Sequence, residues 1–468
     1  MDRRFIKVYK LTKDRENRIS ILFLLKADIS YDIISVYLIR RGIIMTLIKN
    51  LLDKKGETEQ ASSQKKSTKD EGYKRPIIFI PGITGSELFS IDEKYVDDFE
   101  RSTGMISKDK EGFAKRIWIP LVNDVGEINQ ELNINNGLYG LQEGDLRNSR
   151  IFDRHTGPAS ANAVLLNALL LKFPDRPIYQ FSYDWRKTNT LTCKKLDSFI
   201  KSINHGGRVK VDIVAHSMGG IVSAHYFREH DKRVEKYVSL CTPYEGAPHA
   251  YNQMSSGSIF GNYKDIVLEK LFGIEKYVIY AYDGLVELYP TTKMLKAYPY
   301  QWVKDKKTFE KVVSKKYKNY EDLIMQLHDL NAAEDIKPSK VQKEIKNYLG
   351  FTRYEEFLRK AKNYRKYKSF SHSVSLLNRP KSMFIVADGT QTQVSGCYIK
   401  DENDKIITRE LVTKEGDGLV PLYSACMGYK LDEMPKELRE KFKVFKGTHP
   451  GMLMDLRALD SVCKFLKD

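Results

Sequence analysis

Val211-Asp212-Ile213-Val214-Ala215-His216-Ser217-Met218-Gly219-Gly220 is the stretch on which the fold turns. An apolar run leads at once into small-x-Ser-x-Gly and then into a helical pattern. Strand, sharp turn and helix in that order make a nucleophile elbow, where a serine on a strained turn lifts its hydroxyl above the end of a sheet. The residues two before and two after the serine must be small, because they nearly collide. Ala215 stands where glycine is usual, and Gly219 and Gly220 let the next helix pack closely. His216 is the variable residue of the turn and reads as its support rather than as a proton carrier. The bare motif arises often by chance; its place between strand and helix gives it weight.

Residues 76–80 upstream form a continuous apolar run ending at Pro81-Gly82, as a strand buried on both faces does. Further strands are expected at 178–183, 211–215, 237–241, 383–387 and 442–445, with helices at 192–203, 218–229 and 452–466. Residues 394–411 read as a hairpin around Asp401-Glu402-Asn403-Asp404. Alternating strand and helix predicts an α/β fold with a mainly parallel sheet covered on both faces. Two stretches break the rhythm: an irregular excursion at 90–170 and a Lys- and Tyr-rich insertion at 251–380, with helical windows at 309–330 and 354–366. Insertions of that size between core strands usually build a cap over a site. The expected organisation is an N-terminal extension and polar linker (1–74), a first core part (75–250), a cap (251–380) and a second core part (381–468).

The 468 residues are 41% hydrophobic, enough for a large core. Five scattered cysteines with no Cys-x-x-Cys pair suggest neither a disulfide framework nor a zinc knuckle, and read as free thiols in a reducing compartment. The net charge of +17 is spread over the chain and forms no recognisable nucleic-acid reader. It reads as a solvated surface or as attraction to an anionic membrane, at about 1 kcal/mol per Lys or Arg near the bilayer.

An apolar run at 19–25 is stopped by Lys26 and Asp28, too short to span a bilayer, with no small-x-small cleavage site after it. A second run at 29–39 contains Asp32 and precedes Arg40-Arg41. Residues before Met45 fit no domain, which suits a start at Met45; natural peptides from before it would refute this. The expected location is cytoplasmic, peripheral to membrane.

A serine hydroxyl needs a histidine to take its proton and an acid to orient that histidine. Of nine histidines, His225 and His230 ride the helix after the elbow, and His328 and His372 fall in the expected cap. His449 stands apart in Gly447-Thr448-His449-Pro450-Gly451, a loop between the last strand and the last helix. That is where the chain order Ser…Asp…His places its base. Two acids qualify on position: Asp417 in a glycine-flanked turn, and Asp388, which ends the strand at 383–387. An oxyanion would be met by the N–H of Met218 and by one from Pro81-Gly82-Ile83-Thr84-Gly85-Ser86, for which Ile83 is the choice. No His-x-x-x-His pair or complete phosphate loop is present, so no metal or cofactor is expected.

Together these segments resemble the lecithin:cholesterol acyltransferase family of the α/β-hydrolase superfamily, which includes lysosomal phospholipase A2 and phospholipid:diacylglycerol acyltransferases. The matching pieces are 76–88 (PIIFIPGITGSEL), Tyr183-Asp184-Trp185-Arg186, the elbow, 242–248 (TPYEGAP), 416–421 (GDGLVP) and 447–453, in order over most of 75–465. The resemblance implies a triad of Ser217, Asp417 and His449, favouring Asp417 over Asp388, with Ile83 and Met218 as the oxyanion hole. It implies cleavage of a fatty acyl ester through an acyl-enzyme, with Asp184 and Arg186 fixing the loop near the elbow. The paired cysteines and secretion signal of the secreted relatives are absent, so substrate and acceptor do not carry over. The expectation is a lipid acyl hydrolase or O-acyltransferase. The rivals are a general carboxylesterase or triacylglycerol lipase, and a non-catalytic membrane-binding protein.

Overall fold

The computed structural model describes residues 74–118, 132, 137–148, 160–250, 282–298, 301–303, 312–313, 376–400 and 406–467. The extension at 1–73, the helical window at 354–366, and His328 and His372 lie outside the described residues. So does the window at 309–330 except for Val312–Val313, which is not helical but a short strand paired antiparallel with Gln301 and Trp302. Among the described residues, six strands form the central sheet: β1 (Ile77–Ile80), β2 (Ile178–Gln180), β3 (Val211–His216), β4 (Val234–Leu240), β5 (Ser382–Asp388) and β6 (Phe442–Lys446). They are ordered β6-β5-β4-β3-β1-β2, and every neighbouring pair is parallel. The chain steps from β1 outward to β2 and then back across to β3. The carboxyl ends of β1 and β3 therefore flank a topological switch point, where sheets of this kind leave a crevice for a ligand.

Side chains alternate across the sheet and divide the core in two. Ile77, Phe79, Val214, Leu240 and Ile385 pack with helices α1 (Ser160–Lys172) and α4 (Leu456–Lys467). Ile78, Ile80, Ile213 and Ala215 pack on the other face with α2 (Asn189–Ile203) and α3 (Met218–His230). Helices cover both faces of this parallel sheet, and with the Ser217 turn at the end of β3 the arrangement is an α/β-hydrolase fold.

Helix α1 and several smaller elements occupy the excursion that the sequence reads as irregular. Its segment SANAVLLNALLLK is apolar on nearly every side and buried along most of its length, so it has no polar stripe to betray a helical period. Nearer β1, Leu88–Ser90 pairs antiparallel with Lys115–Trp118, and Met105–Ser107 pairs with Gly140–Gln142. The hairpin expected after Asp388 is present as Thr392–Lys400 against Ile406–Thr413. It leaves β5 and returns to it: Thr390 bridges Asp417, with the Thr390 N–H donating to the Gly416 carbonyl at 3.0 Å.

Candidate active site

The elbow is assembled by the strand that precedes it and the glycines that follow. Ser217 takes a left-handed backbone, φ +53°, and its N–H donates to the carbonyl of Leu240 at the end of β4 (2.9 Å). A non-glycine residue so held costs about 1–3 kcal/mol and persists only where its surroundings enforce it. A β-carbon on Gly219 would stand 2.2 Å from the Ile80 carbonyl oxygen, and one on Gly220 would stand 1.9 Å from Thr242 Oγ1. Helix α3 can begin there only without side chains at those two positions.

The structure brings Ser217, His449 and Asp417 together. His449 Nε2 lies 2.9 Å from Ser217 Oγ, and its Nδ1 lies 2.7 Å from Asp417 Oδ2. The His449 N–H also donates to the Asp417 carbonyl (2.8 Å), which ties the two loops at the backbone. Asp417 Oδ1 accepts from the N–H groups of Leu419 (2.9 Å) and Val420 (2.6 Å). An ionised carboxylate on Nδ1 fixes the tautomer, leaving the Nε2 lone pair to accept from the serine hydroxyl. All three side chains are nearly buried, with residue exposures of 6%, 7% and 3% for Ser217, His449 and Asp417. Asp388, the other acid that position allows, instead pairs with Lys446 Nζ at 2.6 Å. His230 lies 3.7 Å from Asp197 at the far end of α3.

His216 is buried against the triad, its ring 4.8 Å from that of His449 and its Nε2 3.4 Å from the His449 carbonyl oxygen. Burial, with the neighbouring His449, pushes its pKa well below the usual 6.5, so it stays neutral.

The loop after β1 passes directly over the serine and is held from several sides. Tyr183 donates its hydroxyl to the Pro81 carbonyl (2.9 Å), Trp118 its indole N–H to Thr84 (3.0 Å), and Asn162 its amide to Gly85 (2.9 Å). Trp185 donates to the Ser86 carbonyl (3.3 Å). Asp184 and Arg186, expected to fix this loop, pair with each other at 2.7 Å, and Arg186 reaches the Leu132 carbonyl at 3.0 Å. Tyr183 and Trp185 are the members of that tetrad that grip the loop. Ile83 lies in this held turn and packs on the core, while Met218 opens α3, where N–H groups have no intrahelical acceptor.

Sequence reasoning passed over Cys241. It follows β4 directly, is fully buried, and has φ +51°. Its Sγ, an Asp417 oxygen and a His449 ring nitrogen lie within 4.8 Å of one another. Burial and the Asp417 carboxylate raise the thiol pKa well above its usual value. Its only sequence signal is its place at a strand end beside the elbow.

Those three residues are the one cluster among the described residues with a metal-ligand composition. The 2.7 Å between His449 Nδ1 and Asp417 Oδ2 suits a shared proton. Two ligands each about 2 Å from a tetrahedral ion would stand farther apart. Among the described residues no helix is long and apolar enough to cross a membrane.

The family model described as "Lecithin:cholesterol acyltransferase" matches residues 173–441, a span that includes Ser217 and Asp417 and ends before His449. Lecithin-cholesterol acyltransferase-like 4 of Arabidopsis thaliana is 23% identical over 187 residues, 37% of this chain and 35% of that protein. Phospholipase A(1) LCAT3 of the same plant is 26% identical over 322 residues, 62% of this chain and 65% of that protein. The chain thus spans from about a third to just under two thirds of the length of these relatives. A chain from the crystal structure of the Tle4–Tli4 complex superposes with a TM-score of 0.50 at 12% identity, covering 84% of this chain and 98% of that one. That likeness bears on the fold alone. With the family model covering more than half of its 468 residues, this chain belongs to the lecithin:cholesterol acyltransferase family.

Proposed function

We propose that the chain is a serine-dependent lipid acyl-ester hydrolase or O-acyltransferase working through an acyl-enzyme on Ser217. The observation that carries this is the continuous hydrogen-bonded line from Ser217 Oγ through the His449 imidazole to Asp417, closed at 2.9 and 2.7 Å. In the first step His449 Nε2 takes the hydroxyl proton while Oγ attacks the ester carbonyl. Asp417 keeps the imidazole oriented and stabilises the imidazolium that forms. The N–H groups of Met218 and Ile83 receive the oxyanion. The held loop keeps the second donor in place before reaction, so little reorganisation is needed as charge develops. Collapse expels the alcohol, which takes its proton from His449. Water or a second alcohol then repeats the cycle on the acyl-enzyme and decides between hydrolysis and transfer.

A fatty acyl ester as substrate is supported by family membership and by a relative named as a phospholipase A(1). The test is lipid product analysis on phospholipid vesicles, with and without an added long-chain alcohol, using wild type and Ser217→Ala. Release of fatty acid, or its appearance on the alcohol, should fall by about 10⁴-fold or more in the variant. Full activity of Ser217→Ala would overturn the serine mechanism. Turnover confined to short water-soluble esters would favour a general carboxylesterase, and failure of a fluorophosphonate to label the wild type would favour a non-catalytic binding protein.

A further inference from the structure

Cys241 is buried beside the proposed triad, and the mechanism as described makes no use of it. Three observations on it are independent. Its position joins the two halves of the site: the residue before it, Leu240, accepts the Ser217 N–H, while its own side chain faces Asp417. Its backbone is left-handed at φ +51°, a conformation that glycine adopts freely and that a side chain makes costly. The Cys241 N–H is itself fixed to the Ile385 carbonyl on β5 at 2.8 Å, so the strand end cannot relax away from the acid. A strained backbone that nevertheless carries a side chain points to work done by that side chain.

We propose that Cys241 is a positioning residue: its S–H donates to the Asp417 carboxylate and helps lock the rotamer in which that carboxylate holds His449. A carboxylate has room for about four donors. Leu419, Val420 and the imidazole approach Asp417 from its own loop and from the His449 loop. Cys241 approaches from the sheet. With its Sγ within 4.8 Å of the carboxylate, the thiol supplies a further donor beside those of the loops. The raised thiol pKa is consistent with this, since a protonated sulfur can donate and a thiolate cannot. Full burial keeps the group from acting as an exposed redox sensor, because reactive thiols are accessible and ionised. The inference rests on the triad described under Proposed function and adds a fourth member behind its acid.

The test uses the full-length protein with Cys241→Gly, Cys241→Ser and Asp417→Asn, read by the rate of fluorophosphonate labelling at Ser217, by thermal unfolding, and by infrared difference spectroscopy of the S–H stretch. Cys241→Gly suits the left-handed backbone, so its unfolding midpoint should equal or exceed that of wild type. Its labelling should nonetheless slow by about tenfold, the factor given by ~1.4 kcal/mol of lost transition-state interaction. Cys241→Ser keeps a donor and should recover most of the rate. The S–H band absent from Cys241→Gly should move when Asp417 becomes Asn. Wild-type labelling of Cys241→Gly, or a band indifferent to Asp417→Asn, would overturn the proposal while leaving the triad intact. Labelling that persists in Ser217→Ala would instead remove the triad, and this inference with it.

Discussion

Gly82 and Ser217 are packed so closely that a β-carbon on the glycine would stand 2.8 Å from the serine Cβ and 3.2 Å from its Oγ. The loop gripped by Tyr183, Trp185, Trp118 and Asn162 has no slack to retreat. Gly82→Ala should therefore displace either the nucleophile or the turn bearing Ile83. Steady-state kinetics should show kcat down by about 100-fold or more, the scale of losing one oxyanion donor. The far-ultraviolet circular dichroism should stay that of the wild type.

Asp417 and Asp388 both stand near the carboxyl edge of β5, but only one holds the imidazole. Asp417→Asn should leave the wrong tautomer facing Ser217 and lower kcat by about 10⁴-fold. Asp388→Asn removes a partner of the exposed Lys446 side chain and should leave kcat within about threefold, since such surface pairs contribute little. Parallel kinetics on the two variants decide between the acids.

Ser217→Gly should abolish turnover and yet raise stability. The φ of +53° is strained for serine and free for glycine. Relief of about 1 kcal/mol is expected after allowing for the greater freedom of glycine in the unfolded chain. Urea denaturation of the two proteins measures it directly.

His216 gives the fold a dependence on acid. It stays neutral when folded because burial, with His449 beside it, holds its pKa well below 6.5, whereas the unfolded chain takes up the proton near that value. Stability from this group is complete above pH 6.5 and declines as the pH falls below it, because the unfolded state then binds more protons. The titratable groups of the same pocket are His449, Asp417 and Cys241, and His216→Gln leaves all three residues unchanged in identity. Unfolding midpoints measured from pH 8 down to about 5 should fall less steeply for that variant than for the wild type.

The sheet was legible because its strands carry short, largely apolar runs that alternate with helical patterns, most plainly at Ile77–Ile80 before Pro81-Gly82. Ser217 and His449 were legible for a related reason: each follows a core strand at its carboxyl end. Asp417 was harder, because a whole hairpin separates it from β5 and position alone left Asp388 equally eligible; the family motif GDGLVP favoured Asp417. Helix α1 escaped for want of a polar face. Cys241 escaped because nothing in a sequence marks a backbone of positive φ when the residue is not glycine. The grip of Tyr183 and Trp185 on the loop was invisible for another reason: their acceptors are carbonyl groups about a hundred residues away.

The bridge between Thr390 and Asp417 makes the intervening hairpin a detour with a closed neck. Lengthening such a detour costs little, since loop-closure entropy grows only with the logarithm of length. A foreign segment spliced between Lys400 and Ile406 would be tethered outside that neck and need not disturb the acid. The same modularity uncouples the length of chain between nucleophile and acid from the distance between the atoms they present to one another.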